Sequence, residues 1–312
     1  MNSVFPSRGF RQTRLMPNLR LRARIIQAVR RFFIEHDFLE IETPHRIPAP
    51  APELYIDAPP AGDWFLHTSP ELCMKRLLAA GYSRIFQICR CFRQGERGQR
   101  HVPEFTLLEW YRAGFDYRDM MAQCEQLIGY AARETGFDDS LTFQGRTIDL
   151  NPPWDRLSVS DAFDRYGGIS MEKALQTNRF DEIIALDIEP RLGLDKPLFL
   201  YDYPAACGAL ARLKPEAPRF AERFELYISG IELCNAFSEL TDPEEQRRRF
   251  EEESLQRKKA GKAVYPSAEH FLNALECMPD ASGNALGVDR LVMLFADTVN
   301  IDDVTAFTPE EL

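Results

Sequence analysis

Apolar positions recur along this chain with two different periods. From Asn18, NLRLRARIIQAVRRFFIEHDF places Leu21, Ile25, Val29, Phe32 and Phe33 at helical spacing, with arginines on the opposite face, which predicts an amphipathic helix ending near Asp37. Asn18 suits an N-cap, and residues 1 to 17 read as a loose basic arm. The period then shortens to alternation in LEIETP, a strand stopped by Pro44. After a proline-rich loop, WFLHTSPELCMKRLLAAG reads as a strand, a Ser-Pro helix start and a helix ending at Gly81. Residues 85 to 113 read as a hairpin with a long loop. A helix (YRDMMAQCEQLIGYAARETG) and a β-type FQGRTIDL follow. Short helices over 155 to 200 suggest an insertion rather than a separate domain. RFELYISGIELCNAFSEL predicts two strands broken at Gly230. PEEQRRRFEEESLQRKKAG reads as a charged helix whose charges form a solvated face. GNALGVDRLVMLFAD reads as a glycine-rich turn feeding a helix.

Strands joined by tight turns, without regular βα crossovers, favour an α+β fold built on an antiparallel sheet flanked by helices. Residues 18 to 312 form one domain on this reading. Composition changes the picture only by exclusion. A formal charge of -10 opposes extensive contact with a nucleic-acid backbone, so any anion site must be local. The seven cysteines are scattered, with no Cys-x-x-Cys pair and no histidine at zinc spacing in sequence. Cys89 and Cys91 would share one strand face as core filling, and the chain reads as cytoplasmic and reduced. The N-terminus has no apolar stretch typical of a signal peptide, and no run is long enough to span a membrane.

Four local features carry candidate chemistry. In the hairpin's second strand, Phe105, Leu107, Glu109 and Tyr111 share one face, so Glu109 needs a partner or a cationic ligand unless it lies in water. Arg93, Arg97, Arg100 and His101 make the hairpin loop cationic, either as solvated side chains or as donors to phosphate or carboxylate oxygens. Glu232 and Glu239 are separated by an odd spacing. They share a face only if a bulge near Asn235 and Ala236 breaks the alternation, in which case they could hold Mg²⁺ or an ammonium. In GNALGVDR, the glycines allow close approach to a ligand, and Arg290 at the start of an apolar helix needs an anionic partner.

Together these features resemble the three signature motifs of class II aminoacyl-tRNA synthetases, in order and spacing. FFIEHDFLEIETP resembles motif 1, FRQGERGQRHVPEFTLLEWY motif 2 and GNALGVDRLVM motif 3. TSPELCMKRLL, RHVPEFTLLEWY and GIELCNAFSELTDPEEQRRRF are most similar to the lysyl branch. The catalytic pattern begins with no room for an anticodon-binding domain, and Ala285 stands where lysyl-tRNA synthetases have glycine. Both features resemble the truncated lysyl-tRNA synthetase paralogs that ligate (R)-β-lysine to a lysine of elongation factor P.

The resemblance implies an ATP-dependent ligase that forms an aminoacyl-adenylate, with Mg²⁺, elongation factor P rather than tRNA as the main acceptor, and lysine or (R)-β-lysine as substrate. It also implies a homodimer through motif 1. Arg93 and Arg290 would be catalytic. Arg93, Gln94, Gly95, His101, Val102, Phe105, Glu232, Leu233, Gly287 and Arg290 would bind ATP. Ser69, Pro70, Glu71, Glu109, Tyr111, Asn235, Glu239 and Ala285 would hold the amino acid, and Glu232 with Glu239 the metal. Two departures stand out: Arg93-Gln94-Gly95-Glu96 where synthetases have Arg-Asn-Glu-Gly, and Val102 in place of asparagine. Two alternatives follow, an enzyme that activates α-lysine or acylates tRNA, and an inactive nucleotide-binding module.

Overall fold

Helix α1 (Arg11–Glu35) turns its Leu21, Ile25, Val29, Phe32 and Phe33 stripe onto a central sheet. The computed structural model describes residues 10–312. Residues 11 to 17, expected in a loose arm, are helical; the rest of that arm lies outside the described residues, Phe10 apart. A distant segment explains the longer helix. Arg11 donates to the Asp302, Thr305 and Ala306 carbonyls and pairs with Glu311, while Asn18, expected as the cap, donates to the Asp303 carbonyl.

Eight strands make the sheet: β1 (Leu39–Glu40), β2 (Arg84–Phe92), β3 (Glu104–Ala113), β4 (Asp155–Ser158), β5 (Leu198–Pro204), β6 (Phe220–Ile228), β7 (Ile231–Ser238) and β8 (Ala281–Gly287). Their order is β1-β2-β3-β8-β7-β6-β5-β4. The six inner strands are antiparallel, as expected, while β1 and β4 pair parallel at the two edges. Helices α1, α3 (Tyr117–Thr135) and α5 (Val288–Phe295) cover one face, burying Phe33, Phe86, Trp110, Leu226 and Met293. On the other face, α2 (Glu71–Ala79) and α4 (Pro243–Lys259) flank a second apolar cluster around Leu78, Tyr111 and Phe250. Part of that face stays open, and the site lies there.

Three differences from the sequence reading matter. The glycine-rich stretch expected to turn is β8, an inner strand between β3 and β7. Its glycine has a packing reason: a Cβ on Gly283 would lie 2.2 Å from the Tyr111 ring and 2.4 Å from Glu239 Oε1. The charged helix α4 is more than a solvated face. Arg257, fully buried, donates to the Glu53 and Ile56 carbonyls and to Asp57, and so pins the loop before the site. Residues 155 to 200 gather their own small core around Phe163, Phe180 and Ile188, yet their flanking strands β4 and β5 complete the main sheet. No helix among the described residues is long and apolar enough to cross a membrane.

Candidate active site

Strand register builds the site. Glu109 of β3 is paired with Ala285 of β8, and Ala285 with Asn235 of β7. All three side chains therefore project from one row of the open face. The bulge needed on β7 is present, although not at Asn235. Leu226 pairs with Cys234 and Tyr227 with Glu232, leaving Leu233 as the extra residue. That insertion puts Glu232, Asn235 and Glu239 on the same face. The hairpin between β6 and β7 closes through Ser229 and Gly230, at φ 52° and 67°, a two-residue turn of the type that suits twisted strands.

A cavity of about 350 Å³ opens on this face, lined by Arg93, Glu96, His101, Phe105, Glu232 and Arg290 among others. Val102, Leu233, Asn235, Ala285 and Gly287 complete the expected residues it gathers. The Arg93 guanidinium lies 5.0 Å from the Phe105 ring and 3.7 Å from Glu96, and its buried Nε has no partner among the described residues. Arg290 donates to the Glu232 carbonyl at 2.9 Å and side chain at 3.1 Å, and lies 2.7 Å from His101 Nε2. Burial, with Arg290 adding, holds His101 below the ordinary imidazole range, so the neutral ring can accept from the guanidinium. Asp289 anchors this end of α5, accepting from Arg22 and from the Thr106 amide. Two arginines and an aromatic ring thus line one cavity, a set suited to a nucleotide triphosphate.

Gln94 and Gly95, expected to touch ATP, do not line the cavity; Glu96 does. Gly95 takes φ 79°, and the Glu96 amide returns to the Arg93 carbonyl. The turn therefore restores a carboxylate beside Arg93 one position later than in the synthetase pattern.

The amine-binding candidates form a second, buried cluster. Ser69 and Tyr111 donate to the two oxygens of Glu109, at 2.5 and 2.8 Å. Pro70 caps α2, and Glu71 starts it. Lys75, one helical turn on, lies 2.5 Å from both Glu71 and Glu239 and is 1% exposed. Burial, with Glu71 adding, pushes Glu109 well above the usual carboxylate range. Burial also lifts Glu239, to about 8, against the pull of Lys75. Glu239 Oε1 is buried without a hydrogen-bond partner among the described residues. The cluster thus holds three carboxylates, Glu71, Glu109 and Glu239, and one lysine, which pairs with Glu71 and Glu239, a balance that favours a further cation.

Glu232 and Glu239 do not meet at one ion. Six residues lie between them, a separation of roughly 20 Å along extended chain, and Glu239 is taken by Lys75. Asn235 accepts from Arg223, which also pairs with Glu225. Lys75, Glu53, Arg223, Glu225 and Asp289 escaped the sequence reading. Lys75 had a signal, its i,i+4 spacing from Glu71. Arg223 and Glu225 alternate onto one face, whereas Glu53 sits in a loop with no period to read.

The chain matches the model of class II tRNA synthetases (D, K and N) over residues 7–311 and belongs to that family. Its full-length similarity places it among the elongation factor P–(R)-β-lysine ligases. The protein of that name from Pectobacterium atrosepticum is 40% identical over 310 residues, 94% of this chain and 95% of the relative. The one from Erwinia tasmaniensis is 39% identical over 308 residues, with 93% and 94% covered. A lysine–tRNA ligase from Moorella thermoacetica is 39% identical over 311 residues, but the match takes in only 64% of that longer protein.

Proposed function

We propose that this ligase activates (R)-β-lysine with ATP and transfers the β-lysyl group to a lysine side chain of elongation factor P. The observation that carries the reading is the juxtaposition across Ala285. A cavity with two arginines lies on one side, and a buried carboxylate cluster suited to amines adjoins it.

In the first step, the amino acid's carboxylate oxygen attacks the α-phosphorus of ATP in line, and pyrophosphate leaves. Arg93 would hold the attacking carboxylate and the α-phosphate, and Arg290 the terminal phosphates. Phe105 would stack on the adenine, with His101 near the phosphates. Glu109 and Glu239 would receive the substrate ammonium, Glu239 through the oxygen that has no internal donor. In the second step, the acceptor's neutral lysine amine attacks the acyl carbonyl, an amide bond forms, and AMP departs while the amine loses a proton. Mg²⁺ fits only at the Glu232 end, because Glu239 is committed to Lys75. With the phosphates, Glu232 would hold an ion that neutralises phosphate charge.

The proposal includes a cytoplasmic homodimer joined through α1 and β1, and excludes tRNA as acceptor. Mass spectrometry of elongation factor P after incubation with this protein, ATP and each lysine isomer tests it. A β-lysyl mass increment on one lysine is expected. Charging of tRNA with α-lysine instead would replace this reading with the synthetase one, and no pyrophosphate exchange with either isomer would point to an inactive nucleotide-binding module.

A further inference from the structure

One group of ligating side chains takes no part in this chemistry. His67, Cys89 and Cys91 bring one ligand atom each within 4.8 Å of one another. The two sulfurs are 3.9 Å apart, and Cys91 Sγ lies 3.9 Å from His67 Nε2. All three residues are buried. An ion bonded to sulfur at about 2.3 Å in tetrahedral geometry separates two thiolates by about 3.8 Å. The pair therefore already spans two ligand positions of one ion. A disulfide suits it poorly, because side chains at i and i+2 of a strand stand parallel on Cα atoms about 6.6 Å apart, near the outer limit for bridging.

The chain positions give the cluster a consequence. Cys89 and Cys91 belong to β2, whereas His67 begins the segment that carries Ser69 and Glu71. At present the Phe92 amide donates to the His67 carbonyl at 3.0 Å, and His67 Nε2 lies 2.7 Å from the Arg90 carbonyl. An ion on these ligands would take Nε2 from that carbonyl and replace the hydrogen bond with a stronger cross-link. Leu107, Phe105 and Ala285 pack on the thiols and also line the nucleotide cavity, so the cluster sits directly behind the cavity wall.

We propose that His67, Cys89 and Cys91 form a binding site for a soft divalent cation of the zinc class, completed by one water, that clamps the substrate-binding segment to β2. Each thiol loses its proton on binding, and the imidazole ligates as the neutral ring with its remaining proton on Nδ1. The cation's effect on catalysis rests on the proposed roles of Ser69 and Glu71; the binding site does not.

Cobalt(II) alone, added to the metal-free full chain, is the probe. One equivalent should saturate a sulfur-to-cobalt charge-transfer band, and zinc should then bleach it. Cys89→Ser and Cys91→Ser should each weaken zinc binding by more than the roughly tenfold that even an outer-shell change costs, and His67→Asn should weaken it while retaining the sulfur band. A missing band, or a band undiminished in the double serine variant, overturns the proposal. If that variant does not fold, the wild-type chain still decides. Zinc should slow alkylation of Cys89 and Cys91 relative to exposed Cys277, read by peptide mass spectrometry, and unchanged rates overturn the site. These readouts are independent of elongation factor P, so failure of the ligase reading leaves them untouched.

Discussion

Ala285 stands between Glu109 and Asn235 in a cross-strand row and lines the cavity, and its methyl group is the proposed floor of the amino-acid site. Removing that methyl should improve use of α-lysine. Pyrophosphate exchange by Ala285→Gly with both isomers checks this, and an unchanged ratio would show that the floor does not discriminate. Arg93 and Arg290 make the sharper residue-level prediction. Either alanine variant should lose at least about a hundredfold in adenylate formation, the scale of one preorganised donor to developing charge, while the sedimentation coefficient stays unaltered. Gly283 is the structural counterpart. Its alanine variant forces Tyr111 and Glu239 apart, and overpacking of this kind costs about 1–3 kcal/mol. Urea unfolding should register that loss, together with a raised KM for the amino acid.

At the scale of elements, the site depends on a loop held from a distance. Arg257 of α4 binds the carbonyls of Glu53 and Ile56, and Glu53 lines the cavity. Burial, with Glu71 and Glu253 adding and Arg93 opposing, raises the Glu53 carboxyl to about 7. The folded protein therefore keeps a proton that the unfolded chain has lost, and stability falls as pH rises. The contribution is whole below about pH 4.5 and gone above about pH 7. Glu53→Gln should remove this component, so that Tm measured across pH 4.5 to 8 declines less than in the parent. An identical profile in the two proteins would mean that Glu53 is solvated.

At the scale of the whole molecule, β1 leaves one side of the sheet unpaired, with Leu39 51% and the nearby Ile34 61% exposed. Such an edge and its apolar neighbours need cover, and a second copy of the chain is the proposed one. Ile34→Asp with Leu39→Asp should convert a dimer to monomer in analytical ultracentrifugation; a parent that is already monomeric at micromolar concentration would refute that part of the proposal.

The local periods alone determined most of the elements, because alternation and the 3.6-residue repeat directly record which face is buried. They placed α1's stripe, the β2–β3 hairpin, the break at Gly230 and the shared face of Glu109 with Phe105, Leu107 and Tyr111, while leaving open whether that face meets water. Motif spacing marked Arg93, Glu232 and Arg290 as candidates that the fold then brought together. Tertiary structure decided what depends on partners far along the chain. The bulge at Leu233 is visible only in the β6–β7 register, and the first turns of α1 rest on carbonyls of the C-terminal segment. GNALG is an inner strand because β3 and β7 pair with both its edges, although its glycines suggest a turn. Lys75, Arg257 and the His67–Cys89–Cys91 cluster likewise owe their character to neighbours that no local window contains. Charge and metal affinity are properties of an environment, and the environment forms only when the sheet closes.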